Sequence, residues 1–345
     1  MVDLLLCQTY ILKRAVDTDM KMKNKKSLDQ KYLQKIENIE FQPVFILGLH
    51  RSGTSILYKM LTTTGRFNSV TAYHIINYDE LLHNAINGKE DVAKKNLTNF
   101  FKEQNQSDRG IDRLKITADF AEEYGFLLAE RTLDSRIVNK NKTLFSDMCK
   151  KIQFISGNNK PILLKNPLDF SNFLCIKKEF SNAKFIFIHR HPFKTLSSII
   201  KAIGFLINEY SPYMAQLSTL YTRVFNNLLL RYSLKPLTNS FSSIGMILLT
   251  LYSTRSTNYY LKNIHKLPKE DYIDVTYEEL CKAPNEIMSK IMGSLDMKID
   301  ADMDFTTYIQ PRKTNLDSST VHLKRFIFKT MKKYFAKFDY KFDID

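Results

Sequence analysis

Pro43-Val44-Phe45-Ile46-Leu47-Gly48-Leu49-His50-Arg51-Ser52-Gly53-Thr54-Ser55 is the stretch from which the fold is read. Five apolar residues run without interruption and stop at a glycine. A continuous run of this kind suits a strand buried on both faces of a parallel sheet, because a half-exposed strand would alternate. From Ser55 to Leu61 the period changes, and Ile56, Leu57, Met60 and Leu61 share one face of a helix. A loop between such a strand and such a helix can wrap an anion. Its backbone N–H groups converge, and those of the first helical turn add positive potential. The two glycines have the spacing of a Walker A loop, GxxxxGK[ST], yet Thr54 stands where the lysine would be. That lysine serves the β- and γ-phosphates of a nucleotide, and the neighbouring hydroxyl holds Mg²⁺. This loop keeps the wrap and the hydroxyls, with Arg51 as its cation, and so suits a shorter 5′ anion better than a triphosphate.

Working outward, Ile162-Leu163-Leu164 leads to Lys165, and Phe185-Ile186-Phe187-Ile188 leads to His189-Arg190. Both read as buried strands, with Leu168 to Phe180 as a crossover helix between them, a βαβ unit expected to be right-handed. A fourth strand is expected at Tyr272 to Val275, then helices around Tyr277 to Cys281 and Asn285 to Leu295. Residues 1–40, polar and lysine-rich, read as a helical lead-in packed on the outside. Residues 203–265 read as a helical insertion covering the substrate. In 322–342, Leu323, Phe326, Ile327, Met331, Tyr334, Phe335 and Phe338 fall at helical spacing with lysines on the other face. This basic amphipathic helix either packs on the domain or lies on a membrane surface. Strands alternating with helices predict an α/β fold, a central parallel sheet flanked by helices, in one domain over 41–345.

The 345 residues include 51 Lys and Arg against 36 Asp and Glu, a formal net charge of +15. Such a field draws anions: nucleotides, acidic polysaccharide, nucleic acid or an anionic membrane. Scarce glycine (10) and proline (9) favour long helices over an all-β architecture. Cys7, Cys149, Cys175 and Cys281 form no CxxC pair, which argues against a zinc site or a disulfide framework and fits a reducing compartment. No apolar run reaches the roughly 18 residues of a membrane span, and Met1 to Leu12 is too short and interrupted for a signal peptide. Cytoplasmic placement is therefore expected, with the sequons at Asn96, Asn105 and Asn141 read as chance.

The loop resembles the 5′-phosphosulfate-binding segment of sulfotransferases that use 3′-phosphoadenosine 5′-phosphosulfate (PAPS), in which a strand runs into an RSGTS/T or KSGTT loop and then a helix. Asn182 to Pro192, followed by Ser197-Ser198-Ile199, is similar to that family's 3′-phosphate site. There an arginine ends a strand and a serine lies eight residues on, as Arg190 and Ser198 do here. An arginine at a strand end can grip a phosphate bidentately, and a hydroxyl inside the next helix adds a further hydrogen bond. Leu164-Lys165-Asn166-Pro167 is similar to the family's lysine-bearing strand end. Tyr277-Glu278-Glu279-Leu280 with Pro284 resembles its late helix start, and Gln310-Pro311-Arg312-Lys313 its basic closing loop. The likeness runs from about Phe41 to Lys313 and is nearer the bacterial-type and tyrosylprotein-like branches than the cytosolic steroid and phenol enzymes. Those carry a KTH-type segment whose histidine is the base; Pro167 stands at the matching position here, so the base lies elsewhere.

The resemblance implies a P-loop-NTPase-like sulfotransferase fold, PAPS as co-substrate, and metal-independent in-line transfer to a hydroxyl or amine. It implies cofactor contacts from His50, Arg51, Ser52, Gly53, Thr54 and Ser55, and from Arg190, Ser198, Arg312 and Lys313. Arg51 and Lys165 would stabilise charge on the sulfate and the departing phosphate. For the base, His74 is the first candidate: Val70-Thr71-Ala72-Tyr73 reads as a strand or extended edge that would place it near the loop, although a core or surface histidine has the same signature. Glu122 and Glu123 are the second choice, against the ordinary reading of paired acids as capping or solvated groups. No metal cluster is expected, since His189 and His191 would point to opposite faces. The acceptor stays open among small molecules such as an alcohol, carbohydrates, lipids and peptide tyrosine, with no nucleic acid expected. Two rivals remain: a P-loop kinase or NTPase, which would need ATP and Mg²⁺, and a non-catalytic anion- or nucleic-acid-binding protein, which would need no Arg190–Ser198 pair.

Overall fold

Strand β1 (Pro43–Leu47) is buried along its whole length, as its unbroken apolar run requires. The structure, a computed structural model, describes residues 27–104, 115–237, 243–300, 302–309 and 315–343. The helix α1 (Thr54–Thr63) follows the loop. A two-residue strand β2 (Asn68–Ser69) and a short helix α2 (Ala72–Ile76) come next. Strands β3 (Ile162–Lys165), β4 (Lys184–His189) and β5 (Tyr272–Thr276) stand where the apolar runs placed them. The order is β2-β3-β1-β4-β5, with every neighbouring pair parallel. The fold is α/β, as expected.

Alternate strand residues feed two cores. Phe45, Leu47, Leu164, Phe185 and Phe187 point into one; Val44, Ile46, Leu163, Ile186 and Ile188 into the other. The second core is closed by α1 and by helices Tyr277–Lys282 and Pro284–Ser294, through Leu57, Met60, Leu280 and Met288. The larger core takes most of the remaining helices. Burial on both faces accounts for the absence of polar–apolar alternation in these strands.

The βαβ unit joins β3 to β4 across β1, which lies between them in the sheet. Three details differ from the sequence expectation. The crossover is two pieces, Pro167–Ser171 and Phe173–Glu179. The break falls at Asn172, whose side-chain amide donates to the Ile137 carbonyl and to Asp169 instead of facing solvent. Val70 to Tyr73 is not an extended edge. Only Asn68–Ser69 pairs with β3, Thr71 makes an isolated bridge to Ala121, and Ala72 onward is helical. The stretch 322–342 is not one helix: Lys324–Thr330 and Lys332–Lys337 are separate, and Ile327, Met331, Tyr334 and Phe335 turn into the larger core.

The crossover from β4 to β5 is helical. It opens with α3 (Pro192–Asn208), continues through Pro212–Leu217, Thr219–Asn226 and Leu228–Leu234, and returns by α4 (Ser243–Asn263). Among the described residues no helix is long and apolar enough to cross a membrane, and no group of three or more His, Cys, Asp or Glu could hold a metal ion. Cys149, Cys175 and Cys281 are free thiols, and Cys7 lies outside the described residues. The Asn141 side chain is fully buried and donates to the Asp134 and Arg136 carbonyls, so its sequon is structural; that at Asn105 lies outside the described residues.

Candidate active site

The loop leaves β1 through Gly48, where a Cβ would stand 2.3 Å from the Ile188 carbonyl oxygen and 2.6 Å from Ser52 Oγ. Only hydrogen fits so close to β4. Arg51 then takes a left-handed backbone, φ 65°, a conformation that costs a non-glycine residue about 1–3 kcal/mol. The turn is closed by Ser52 N–H donating to the Leu49 carbonyl at 3.1 Å. Gly53, φ 107°, is the N-cap of α1, and a Cβ on it would meet the Tyr277 ring at 2.4 Å. No side chain caps α1, so its first N–H groups are available to a ligand. Ser52 Oγ is buried with no hydrogen-bond partner among the described residues. An orphaned buried hydroxyl costs about 1–3 kcal/mol, which a bound anion would relieve.

Two segments distant in sequence meet this loop. Arg51 Nε donates to Ser198 Oγ on α3 at 3.1 Å. Arg190, just past β4, donates from Nη1 to the Arg51 carbonyl at 2.9 Å, and its guanidinium lies 4.4 Å from the Tyr277 ring centroid. Arg190 Nε is buried and has no hydrogen-bond partner among the described residues. The left-handed turn at Arg51 thus serves both sides: its carbonyl holds Arg190 while its side chain reaches Ser198.

The histidines beside Arg190 are structural. His189 Nε2 lies 3.1 Å from Asp274 and Nδ1 lies 2.8 Å from the Tyr334 hydroxyl, with Phe338 stacked at 4.0 Å. His191 Nε2 donates to the Lys341 carbonyl at 2.9 Å, and its backbone N–H donates to Glu278 at 3.1 Å. Burial lowers both imidazole pKa values, that of His191 to about 4. Both are neutral near pH 7, and the charge at this end of β4 belongs to Arg190.

A family model described as "Sulfotransferase family" matches residues 43–301, three-quarters of the chain and all of the elements just described from β1 to Pro284–Ser294. The chain belongs to the sulfotransferase family. Its chemistry is sulfuryl transfer. Among solved structures, the sulfotransferase is similar to STF9 from Mycobacterium avium, at 15% identity and TM-score 0.62, covering 90% of this chain and 81% of that one. It is also similar to STF1 from Mycobacterium tuberculosis, at 13% identity and TM-score 0.53, covering 88% and 80%. These likenesses show the shared fold. No curated protein matches the chain.

On the opposite side of the loop, the sulfotransferase places a buried cation. Lys165, at the end of β3, has no exposed side-chain surface; Nζ donates to Ser55 Oγ at 3.0 Å and lies 3.3 Å from Glu123 Oε1. Glu123 is held from behind. Its N–H donates to Glu122 Oε1 at 2.8 Å, and Glu122 is itself buried, accepts from Tyr213 and bonds the Val70 carbonyl through its N–H. Gly125 passes close enough to Asn166 that a Cβ would meet its amide at 2.8 Å. Glu122 is therefore the anchor, while Glu123 faces Lys165.

His74 sits elsewhere. Thr71 N–H donates to its Nδ1 at 3.1 Å, closing a capping box at the start of α2, and its ring also bonds the Ser69 carbonyl. Burial, helped by the Lys94 charge, pushes its pKa down to about 3. Neither partner belongs to the loop. His50 is half-buried, and desolvation, with the charges of Lys165 and Arg51 adding to it, holds its pKa well below the ordinary value. Arg51, Ser52, Gly53, Ser55, Lys165, Arg190 and Ser198 come together; Thr54 is buried as the first residue of α1; Arg312 and Lys313 lie outside the described residues. Tyr277, Glu123 and Lys165 are each singled out by the sequence, but that Tyr277 floors both Gly53 and Arg190, and that Glu123 pairs with Lys165, has no local sequence signal.

Gly48→Ala is expected to destabilise the sulfotransferase by about 1–3 kcal/mol, the range for overpacking. Chemical denaturation would read the loss; a variant as stable as wild type would mean that the loop gives way freely beside β4.

Proposed function

We propose that this sulfotransferase takes PAPS as donor and transfers the sulfuryl group to a hydroxyl or amine without a metal. The observation that supports this most is the junction of Arg51, Arg190 and Ser198 around a loop that has no Walker lysine. Two orphaned polar atoms, Ser52 Oγ and Arg190 Nε, fit such a donor: the first toward a 5′ phosphosulfate, the second toward a 3′-phosphate. His50, Thr54, Ser55 and the first N–H groups of α1 line the 5′ side. Arg312 and Lys313 are retained as further 3′-phosphate ligands on the resemblance alone.

In this reading the acceptor O–H or N–H loses its proton to a base as its heteroatom bonds to sulfur. The bond from sulfur to the bridging oxygen breaks, and its electron pair leaves on the 5′-phosphate of adenosine 3′,5′-bisphosphate. Lys165, desolvated and 3.0 Å from Ser55, can stabilise the charge that develops there, with Arg51. Between the candidates His74 and Glu123, the contacts favour Glu123. It lies against Lys165 at the loop, whereas the His74 ring is spent on capping α2. The acceptor is a small molecule, carbohydrate or lipid, and the free thiols fit a cytoplasmic site of action.

Adenosine 3′,5′-bisphosphate should raise the unfolding temperature with EDTA present, since a ligand at 100 times its Kd adds about 2.7 kcal/mol to the native state. Stabilisation by ATP only with Mg²⁺, and none by the bisphosphate, would turn the reading to a kinase.

A further inference from the structure

Helix α4 shows a stripe to solvent at the spacing of successive helical turns: Ile244, Leu248, Leu251, Arg255 and Asn258. On a helix whose other face fills a core, this stripe would ordinarily be polar. Here its first two turns are aliphatic, with Ile244 60%, Leu248 43% and Leu251 50% exposed. The helix Leu228–Leu234 repeats the pattern, with Leu229 85% and Leu228 and Tyr232 each 61% exposed, while Leu234 is buried. Large apolar side chains left exposed together on one helix in this way mark an interaction surface.

The charge carried by the crossover itself is nearly all of one sign, although Glu130, from outside it, accepts from Thr219. From Ile203 to Asn263 the sole acid is Glu209, against Arg223, Arg231, Lys235, Arg255 and Lys262. Arg223 is exposed on the helix before Leu228, and Arg255 continues the aliphatic stripe by one turn. Lys235 lies 4.5 Å from the ring of exposed Tyr232. Exposed aliphatic groups bordered by Arg, Lys and Tyr, with almost no acid, complement a surface that is apolar inside and anionic at its edge. A second copy of the chain would bring like charge against like charge across a two-fold interface. A nucleic-acid face would not carry aliphatic side chains in this number.

We propose that the exposed faces of α4 and Leu228–Leu234 dock this protein on an anionic lipid bilayer. The contact is peripheral, since no described helix can span. It is distinct from the basic 322–342 stretch, whose apolar residues are taken up by the larger core and leave charge alone outside. It does not depend on the identity of the donor.

Vesicle co-sedimentation of the full chain tests it. Wild type should bind phosphatidylcholine vesicles containing one quarter phosphatidylglycerol and bind pure phosphatidylcholine much more weakly. Leu229→Glu with Leu248→Glu should cut binding to the anionic vesicles at least tenfold, because each inserts a charge where the bilayer requires an apolar group. Arg255→Gln should cost about fivefold, the share of one basic residue near an anionic surface. Both positions of the double variant are exposed, so its unfolding midpoint and bisphosphate binding should match wild type. Absence of wild-type binding, or equal binding by the double variant, would overturn the proposal. So would a dimer in sedimentation equilibrium that the same variant dissolves, because a second copy would then be what covers the face.

Discussion

Glu123→Gln is expected to lower turnover by about 10²- to 10⁴-fold, the usual consequence of losing a general base. Bisphosphate affinity should change little, because the amide keeps the shape of the side chain and its place beside Lys165. Turnover should be compared at saturating donor: the variant leaves buried Lys165, bonded to Ser55, short of its counter-charge until an anion arrives. The matching control is His74→Ala. Losing its capping box should cost about 0.5–2 kcal/mol of stability and leave turnover near wild type, since its ring contacts Thr71 and Ser69 and not the loop. A fully active Glu123→Gln enzyme together with an inactive, well-folded His74→Ala enzyme would reverse the assignment.

Arg190→Ala is expected to weaken bisphosphate binding roughly 10- to 150-fold, from the 1.5–3 kcal/mol of a hydrogen bond to a charged group. Arg190 also holds the Arg51 carbonyl, so the loss should reach the loop's own geometry. Arg190→Lys should recover only part of it: lysine cannot reproduce a planar fork that stacks on Tyr277 while bonding on two sides. Ser198→Ala should cost less, because the hydroxyl is a neutral partner. Calorimetric titration reads all three, and unchanged affinity in a folded Arg190→Ala protein would remove the 3′-phosphate assignment.

What could be read from the chain was whatever the local pattern determines. Strands β1, β3 and β4 are continuous apolar runs ended by Gly48, Lys165 and His189, and burial on both faces dictates such runs; β5, at the edge of the sheet, carries Asp274 and is mostly half-buried. β2 is Asn68–Ser69, a strand made by pairing with β3 rather than by its side chains, and nothing apolar announces it. Val70 to Tyr73 reads as an extended edge because it has β-branched and aromatic residues, whereas the Thr71 cap decides for helix from Ala72. Single-residue motifs flagged Arg51, Lys165 and Arg190. Their partners Ser198, Glu123 and Tyr277 depend on tertiary approach: Ser198 is 147 residues from Arg51. Spacing can suggest such residues but cannot show what they touch.

The support of Arg190 comes from very late in the chain. Tyr334 abuts the histidine before it, and the Lys341 carbonyl accepts from the histidine after it. Strand β4 itself is laid down some 150 residues earlier. A ribosome can therefore release every strand of the sheet, and the loop after β1, while this arginine still lacks its backing. During synthesis the strands become available before residues 334–341, and the contacts that flank Arg190 cannot be complete until those residues emerge.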